Sequence, residues 1–172
     1  MKVVLFMASS VNGAIAERNG GTTFVTPADK KRFVKMALKE GNAVMGMKTF
    51  ETVKYDSWVE KISVVVLTKR QRKPFGSVSF ARSPNEALRM LDTRGFDVAL
   101  LAGGGKVNAS FLKEGLIDEI YLDVEPSIIG DGIPIFACTA GNAELRLKDI
   151  HKLSKNEVRL HYAVTSRKRH GK

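Results

Sequence analysis

The chain has one cysteine, five prolines and one tryptophan, and it is short of acid, with 18 Asp and Glu against 28 Lys and Arg over 172 residues. No apolar run approaches the roughly 18 residues of a membrane-spanning helix, so no membrane partner is expected. The single cysteine, Cys138, excludes an intramolecular disulfide and fits a reducing compartment, so a cytoplasmic protein is expected. Its apolar neighbours Ile135, Phe136 and Ala137 read as core filling and not as the setting of a nucleophile. The N-terminal MKVVLFMASSVNG turns polar too early for a secretory leader. Zinc-finger spacing, an aromatic-basic RNA-binding signature and a recognition-helix motif are all missing, as is G-x-G-x-x-G. The net charge of +10 therefore lacks a nucleic-acid address and is better matched by a polyanionic small molecule such as a dinucleotide phosphate. Part of that charge lies in a basic tail, residues 167–172, set apart from a single domain at residues 1–166.

What is present is organised around Phe96 to Leu116. The stretch reads as a buried strand (Val98 to Leu101), three glycines (Gly103, Gly104, Gly105) and a helix whose Val107, Phe111 and Leu112 share one face. Glycines leading into a helix N-terminus leave unpaired N–H groups and a positive dipole end open to an anion, and a pyrophosphate suits them. A tight strand-to-helix turn alone would ask for the same residues.

Strand one, Val3 to Ala8, is nearly all apolar, hence central. A polar loop, Ser9 to Gly21, holds Ile15 as its large apolar residue. Thr26-Pro27-Ala28-Asp29 opens a helix with Phe33, Val34, Ala37 and Leu38 inward and Gly41 as its stop. Strands follow at Asn42 to Met47, Ile62 to Leu67 and Val78 to Ala81, with a short helix at Lys48 to Val53 and a capped one opening at Ser83-Pro84. Ile117 to Val124 is a strand, and Leu145 to Leu153 with Glu157 to Thr165 form an antiparallel hairpin about Ser154-Lys155-Asn156. The order predicts an α/β domain with a mostly parallel central sheet, flanking helices and a C-terminal antiparallel hairpin, with ligands beyond the strand C-termini.

Five blocks, in order, resemble the dihydrofolate reductase family: Met7 to Gly13 with Ile15; Pro27-Ala28-Asp29 with Phe33; Val44 to Glu51; Gly103 to Val107; and Asp118 to Leu122. The block from Leu116 through Val124-Glu125-Pro126 to Gly132-Ile133-Pro134 is similar to a sister group, the reductase domain of the bifunctional riboflavin-biosynthesis deaminase-reductase. The resemblance implies a dihydrofolate reductase-like fold and an NADPH-dependent reductase that delivers hydride to a heterocycle. Dihydrofolate is the first expectation for that substrate. The alternative is a phosphoribosylamino-uracil of the riboflavin pathway, and a second is a nucleic-acid binder on a degenerate reductase fold.

The resemblance also assigns roles. Asp29 is the catalytic carboxylate, while Ala8, Phe33, Thr49 and Asp123 contact substrate. Ala8 and Ile15 hold the nicotinamide, Gly46, Lys48 and Thr49 the phosphates, and Gly103 and Gly104 form a cis peptide against the pyrophosphate with Gly105 and Val107 beside it. Thr68, Lys69, Arg70 and Lys106 surround the adenosine 2′-phosphate. Read without the resemblance, Asp29 is a first-turn capping acid and Phe33 a core residue.

Three positions depart from dihydrofolate reductases. Met47 and Ile62 stand where arginines bind the 2′-phosphate and the glutamyl carboxylate, leaving Lys61 or Lys31 to substitute for the latter. Asp123 stands where a threonine supports the catalytic acid, and a second carboxylate there should raise the pKa of one of the two. No metal site is expected. The hairpin and Ile128, Ile129 and Ile133 suggest a homodimer surface.

Overall fold

The computed structural model describes residues 1–137 and 141–168, with side chains through Thr165. Cys138 and the last four residues of the basic tail lie outside this range. Ten strands and four helices follow in the order β1 (Lys2–Ser10), β2 (Ala14–Glu17), α1 (Pro27–Glu40), β3 (Asn42–Gly46), α2 (Met47–Val53), β4 (Ser63–Leu67), β5 (Val78–Ala81), α3 (Pro84–Thr93), β6 (Val98–Leu101), α4 (Gly105–Lys113), β7 (Glu119–Glu125), β8 (Gly132–Pro134), β9 (Asn142–Lys152) and β10 (Val158–Lys168).

Eight strands form one sheet in the order β5-β4-β3-β6-β1-β7-β10-β9. Those from β5 to β7 are parallel, and the β9–β10 hairpin is antiparallel to β7 and closes one edge. The β-branched run Val64-Val65-Val66 is completely buried, as an interior parallel strand covered on both faces must be. One apolar layer, under α1 and α2, includes Phe6, Met45, Trp58 and Leu100. The other, under α3 and α4, includes Leu5, Leu91, Leu101 and Phe111.

The predicted caps form. Thr26 and Ser83 accept hydrogen bonds from the N–H groups of Asp29 and Glu86, each at 3.2 Å, and Gly41 ends α1 in the left-handed region at φ 69°. A buried Asn42 donates to the Val98 carbonyl at 2.8 Å and accepts from Leu100 N at 3.1 Å, stitching the start of β3 to β6.

Two expectations change. The loop after β1 is not irregular throughout: Ala14, Ala16 and Glu17 form β2 and pair with β8 from the distant Gly132–Pro134 segment. Neither strand exceeds four residues, too short for alternation to register as a strand signal. Arg167 and Lys168, read as the start of a tail, extend β10 opposite Ala143 and Asn142.

Candidate active site

Asp29 occupies the first turn of α1, yet its carboxyl does not cap the helix. Thr26 does that through the Asp29 N–H, and the Asp29 side chain turns into the protein, where the residue is 2% exposed. There it is hydrogen-bonded to the carboxyl of Asp123, itself 1% exposed on β7. Asp123 lies opposite Arg159 on β10 in the antiparallel ladder, and this register gives a two-pronged ion pair with Nε–Oδ1 2.6 Å and Nη2–Oδ2 2.8 Å. Arg32, one helical turn beyond Asp29, donates from Nε to Asp123 at 3.1 Å and from Nη2 to both Asp29 and Glu157 at 3.3 Å.

The two acids take opposite states, as the sequence predicts for this pair. Burial, then the hydrogen bond and charge of Asp123, push the Asp29 pKa up to about 8, with Arg32 working against them. Burial also works to raise Asp123, but the hydrogen bonds from Arg159 and Asp29 and the charges of both arginines outweigh it and hold the carboxyl below the ordinary range. At neutral pH Asp29 is therefore an acid with a proton to give, beside the Asp123 carboxylate and with Oδ1 accepting from Arg32.

A second acid pair adjoins the first. The Thr26 hydroxyl donates to Glu157 at 2.7 Å, and Glu125 Oε1 accepts from Thr26 N at 3.3 Å. The Thr26 bond and Arg32 hold Glu157 low against its desolvation, whereas burial and the neighbouring Glu157 raise Glu125. Glu125 is fully buried and its Oε2 has no hydrogen-bond partner among the described residues.

Phe33 stands one turn along α1 from Asp29 as predicted, in an aromatic wall. It packs edge-on against Trp58 at 5.5 Å and tilted against Phe6 at 6.0 Å, while the Arg159 guanidinium lies over the Phe6 ring at 4.7 Å. Ala8, opposite Asp123 in the β1–β7 register, supplies backbone at the same end of the sheet.

The glycine turn is built as the resemblance implies. The Gly103–Gly104 peptide is cis, and Gly103 has φ +89°. A Cβ on Gly103 would come within 3.1 Å of Met7 Sδ, and one on Gly104 within 3.3 Å of Thr49 Oγ1. Gly104 precedes α4 with no side chain capping its first N–H groups. The Gly46 N–H donates to the Gly103 carbonyl at 2.8 Å and a Cβ there would meet Val107 at 2.9 Å, so the ends of β3 and β6 touch without side chains between them. Thr49 and the Thr68-Lys69-Arg70 segment emerge at the same edge, since Gly46 pairs with Leu67, and Lys106 lies in the first turn of α4. Lys48, Lys69, Arg70 and Lys106 are exposed and form no ion pair among the described residues. A narrow glycine cradle, an uncapped helix N-terminus and four free cations fit the pyrophosphate and 2′-phosphate of NADPH.

The remaining expected residues have the following surroundings. Gly105 is taken by the protein itself, because a Cβ there would lie 2.4 Å from the Pro134 carbonyl. Ile15 is buried in β2. Ile62 is a core residue at 4% exposure, and Lys31 and Lys61 make no ion pair among the described residues, so no guanidinium awaits a glutamyl carboxylate at that position. An open cleft of about 480 Å³ bordered by Lys61, Ser63, Ser77 and Arg94 lies at the opposite, N-terminal edge of β3 to β5, and the Arg94 head group is engaged by Ser63 and Ser79.

Four members of the acid cluster, Arg32, Glu125, Glu157 and Arg159, were missed from sequence. Arg32 had a local signal in its i,i+3 spacing from Asp29. The other three are drawn in by the β7–β10 pairing, which no local pattern reveals.

The sequence matches the profile of the RibD C-terminal domain over residues 1–158. The uncharacterized protein YwjB of Bacillus subtilis (strain 168) is 27% identical over 170 residues, covering 94% of this chain and 97% of that protein. Among solved structures, a Shewanella sp. PV-4 protein provisionally assigned to riboflavin biosynthesis superposes with a TM-score of 0.81 at 24% identity, covering 96% of this chain and all of the other. The Thermotoga maritima diaminohydroxyphosphoribosylaminopyrimidine deaminase/5-amino-6-(5-phosphoribosylamino)uracil reductase superposes with a TM-score of 0.73 at 19% identity, and this chain covers 56% of it. The dihydrofolate reductase-like fold is thereby confirmed, on the branch that the Leu116 to Pro134 block resembles rather than on the one that most of the motifs suggested. The profile match spans nearly the whole of the chain, and the chain belongs to the RibD C-terminal domain family.

Proposed function

We propose that the chain is an NADPH-dependent reductase of a phosphoribosylated aminopyrimidine, the chemistry of the riboflavin-pathway reductases, and that Asp29 is its proton donor. The observation that carries the reading is the split acid pair: Asp29 keeps its proton up to about pH 8 beside an ionised Asp123. NADPH, when bound, supplies the hydride. The residues of the chain do the rest. Gly103, Gly104 and the α4 N-terminus receive the pyrophosphate, and Lys48, Lys69, Arg70 and Lys106 favour the phosphorylated dinucleotide.

Phe33 and its aromatic neighbours form an apolar wall suited to a heterocycle. Where a C=N or C=O carbon of the substrate accepts that hydride, the π pair would pass to the heteroatom, and Asp29 would supply the proton that neutralises it. Asp123 keeps Asp29 oriented and takes no proton itself, because Arg159 holds it ionised. Arg32 and Arg159 spend Nε and Nη2 on these acids, and among the described residues no bond of either Nη1 is recorded, so the partly exposed guanidinium groups could also meet an anionic substituent.

Dihydrofolate fits less well. Its glutamyl tail needs a cation where Ile62 is buried in the core. The test is oxidation of NADPH, followed by the absorbance of the reduced nicotinamide, with 5-amino-6-(5-phosphoribosylamino)uracil and with dihydrofolate separately. Saturable turnover of the aminouracil phosphate is expected, with dihydrofolate slow or inert; the reverse order would overturn the proposal.

A further inference from the structure

NADPH bound as proposed has to span the end of β1, which lies between the glycine turn after β6 and the acids of β7. The chain leaves β1 there, at Ser10 opposite Glu125, and turns into β2. This loop therefore borders the nicotinamide end, while Gly103 and Gly104 border the pyrophosphate. One distant segment holds both. From Gly132 to Pro134 it pairs with β2, and the Ile135 N–H donates to the Gly13 carbonyl at 3.1 Å. The Ile135 carbonyl then accepts from Asn108 Nδ2 at 2.8 Å, and the Ala137 N–H donates to the Gly105 carbonyl at 3.0 Å. Asn108 is fully buried in the first turns of α4, and its own N–H donates to the Gly104 carbonyl at 3.0 Å. Hydrogen bonds in series thus run from Gly104 through Asn108 and Ile135 to Gly13. An apolar residue would fill the place of Asn108 without a desolvation cost; the amide fixes a carbonyl instead. The packing leaves little slack, since a Cβ on Gly105 would strike the Pro134 carbonyl, and one on Gly132 would strike Ala14 Cβ and lie 3.0 Å from the Ala16 carbonyl oxygen.

We propose that Asn108 is a positioning residue: through Ile135 it couples the pyrophosphate seat to the loop between β1 and β2, so that binding of the phosphates orders the surface against which the nicotinamide docks. The proposal rests on the cofactor reading above. The β2–β8 pair has four residues on one side and three on the other, and a two-stranded ribbon that short is marginal on its own, so the order of the loop depends on what braces it. An anion held at Gly104 and the first turn of α4 fixes the Gly104 peptide, and with it the backbone and side chain of Asn108. The bond to Ile135 passes that restraint to the segment paired with β2. Ordering one end in this way removes part of the entropy cost of ordering the other. Hydride transfer needs the donor carbon held close to its acceptor, so order in this loop bears on the rate as well as on affinity. Coupling between two ends is reciprocal, and a change at Gly132 should therefore reach the phosphates.

The test is amide hydrogen exchange of the intact chain, read over residues 13–17, with and without saturating 2′-phospho-ADP, a probe that ends at the pyrophosphate and carries no nicotinamide. In wild type the probe is expected to slow exchange there by about tenfold, within the usual range of coupling between sites. Asn108→Leu, close in shape and lacking the donor, should lose most of that slowing. A merely structural Asn108 would let the substitution raise exchange by one factor with and without the probe and leave the slowing intact. Gly132→Ala lies at the far end of the segment, yet should weaken binding of the probe by about fivefold. A wild type that binds the probe without slowing, a slowing that survives Asn108→Leu, or a Gly132→Ala protein with unchanged affinity for the probe would each overturn the proposal and leave the cofactor reading standing. A wild type that binds neither the probe nor NADPH would overturn both. The wild-type and Gly132→Ala measurements decide even if Asn108→Leu fails to fold.

Discussion

Replacing Asp29 by Asn separates the catalytic and structural consequences of a buried acid. In the folded chain this carboxyl titrates near pH 8, against about 3.8 when free. Between those values the folded state holds a proton that the unfolded chain has released, so the contribution of this group to stability declines as pH rises, by about 1.4 kcal/mol per pH unit, and levels off above pH 8. Asp123 and Glu157 have the opposite sign, their stabilisation being present at neutral pH and lost as pH falls through the carboxylate range. An asparagine reproduces the protonated acid: its amide N–H donates to Asp123, its carbonyl accepts from Arg32, and nothing titrates. The variant is expected to match wild type in acid and to exceed it by a few kcal/mol at pH 8, a gap set by the linkage slope accumulated across the window.

Turnover moves the other way. An amide cannot release the proton, so the rate of reduction is expected to fall by roughly 10²- to 10⁴-fold at neutral pH, with NADPH affinity unchanged. The deficit narrows above pH 8, where wild type also loses the proton. Urea unfolding followed by circular dichroism at a series of pH values, beside single-turnover rates on the same samples, gives both halves. Stability curves that run parallel for wild type and variant would refute the raised pKa, and an unchanged single-turnover rate would return Asp29 to a purely structural role.

Two further outcomes concern the cofactor edge. NADPH is expected to bind at least about tenfold more tightly than NADH, equivalent to ~1.4 kcal/mol and within reach of one charge-assisted contact from Lys69, Arg70 or Lys106; equal dissociation constants at physiological salt would refute the assignment. Gly104→Ala, whose Cβ would sit 3.3 Å from Thr49 Oγ1 at an ordinary backbone φ of −73°, should fold and bind NADPH poorly. Gly103→Ala, at φ +89° and 3.1 Å from Met7 Sδ, should lower the melting temperature as well; a Gly104→Ala protein with normal cofactor affinity would leave the glycines as a turn only.

The parts of this architecture that local physics decides were legible in advance. Thr26-Pro27 and Ser83-Pro84 announce their helices because a side-chain acceptor followed by a ring that needs no N–H partner is a self-contained unit. Val64 to Val66 announces a strand covered on both faces, and the glycines after β6 announce a turn with no room for side chains. Asp29 was found through the motif around it, whereas its electrostatic state depends mainly on Asp123, which is distant in the sequence, with Arg32 close by. Arg159 enters the cluster only because Val158↔Val124 fixes the hairpin in a register that sets Arg159 beside Asp123. A slip of one residue would send it to the opposite face. The β2–β8 pairing escaped for the same reason, being a contact between two short segments rather than a pattern within either.

The alternation on β7 shows how one strand divides its labour. Glu119, Tyr121, Asp123 and Glu125 fall on one face and Ile120 and Leu122 on the other. The three acids, Glu119, Asp123 and Glu125, are chemically similar and share one face, yet their partners differ along the strand. At its start Glu119 meets Lys2, Lys148 and His161, and the pull of Lys2 and His161 overcomes its desolvation and lowers its pKa. Asp123, in the middle, is held ionised by Arg159. Glu125, at the C-terminal end, keeps one oxygen unpartnered and is raised by burial. Cations thus become scarcer toward the edge where ligands of parallel sheets bind, so protons are retained where a substrate arrives and charge is neutralised where the strand only has to hold.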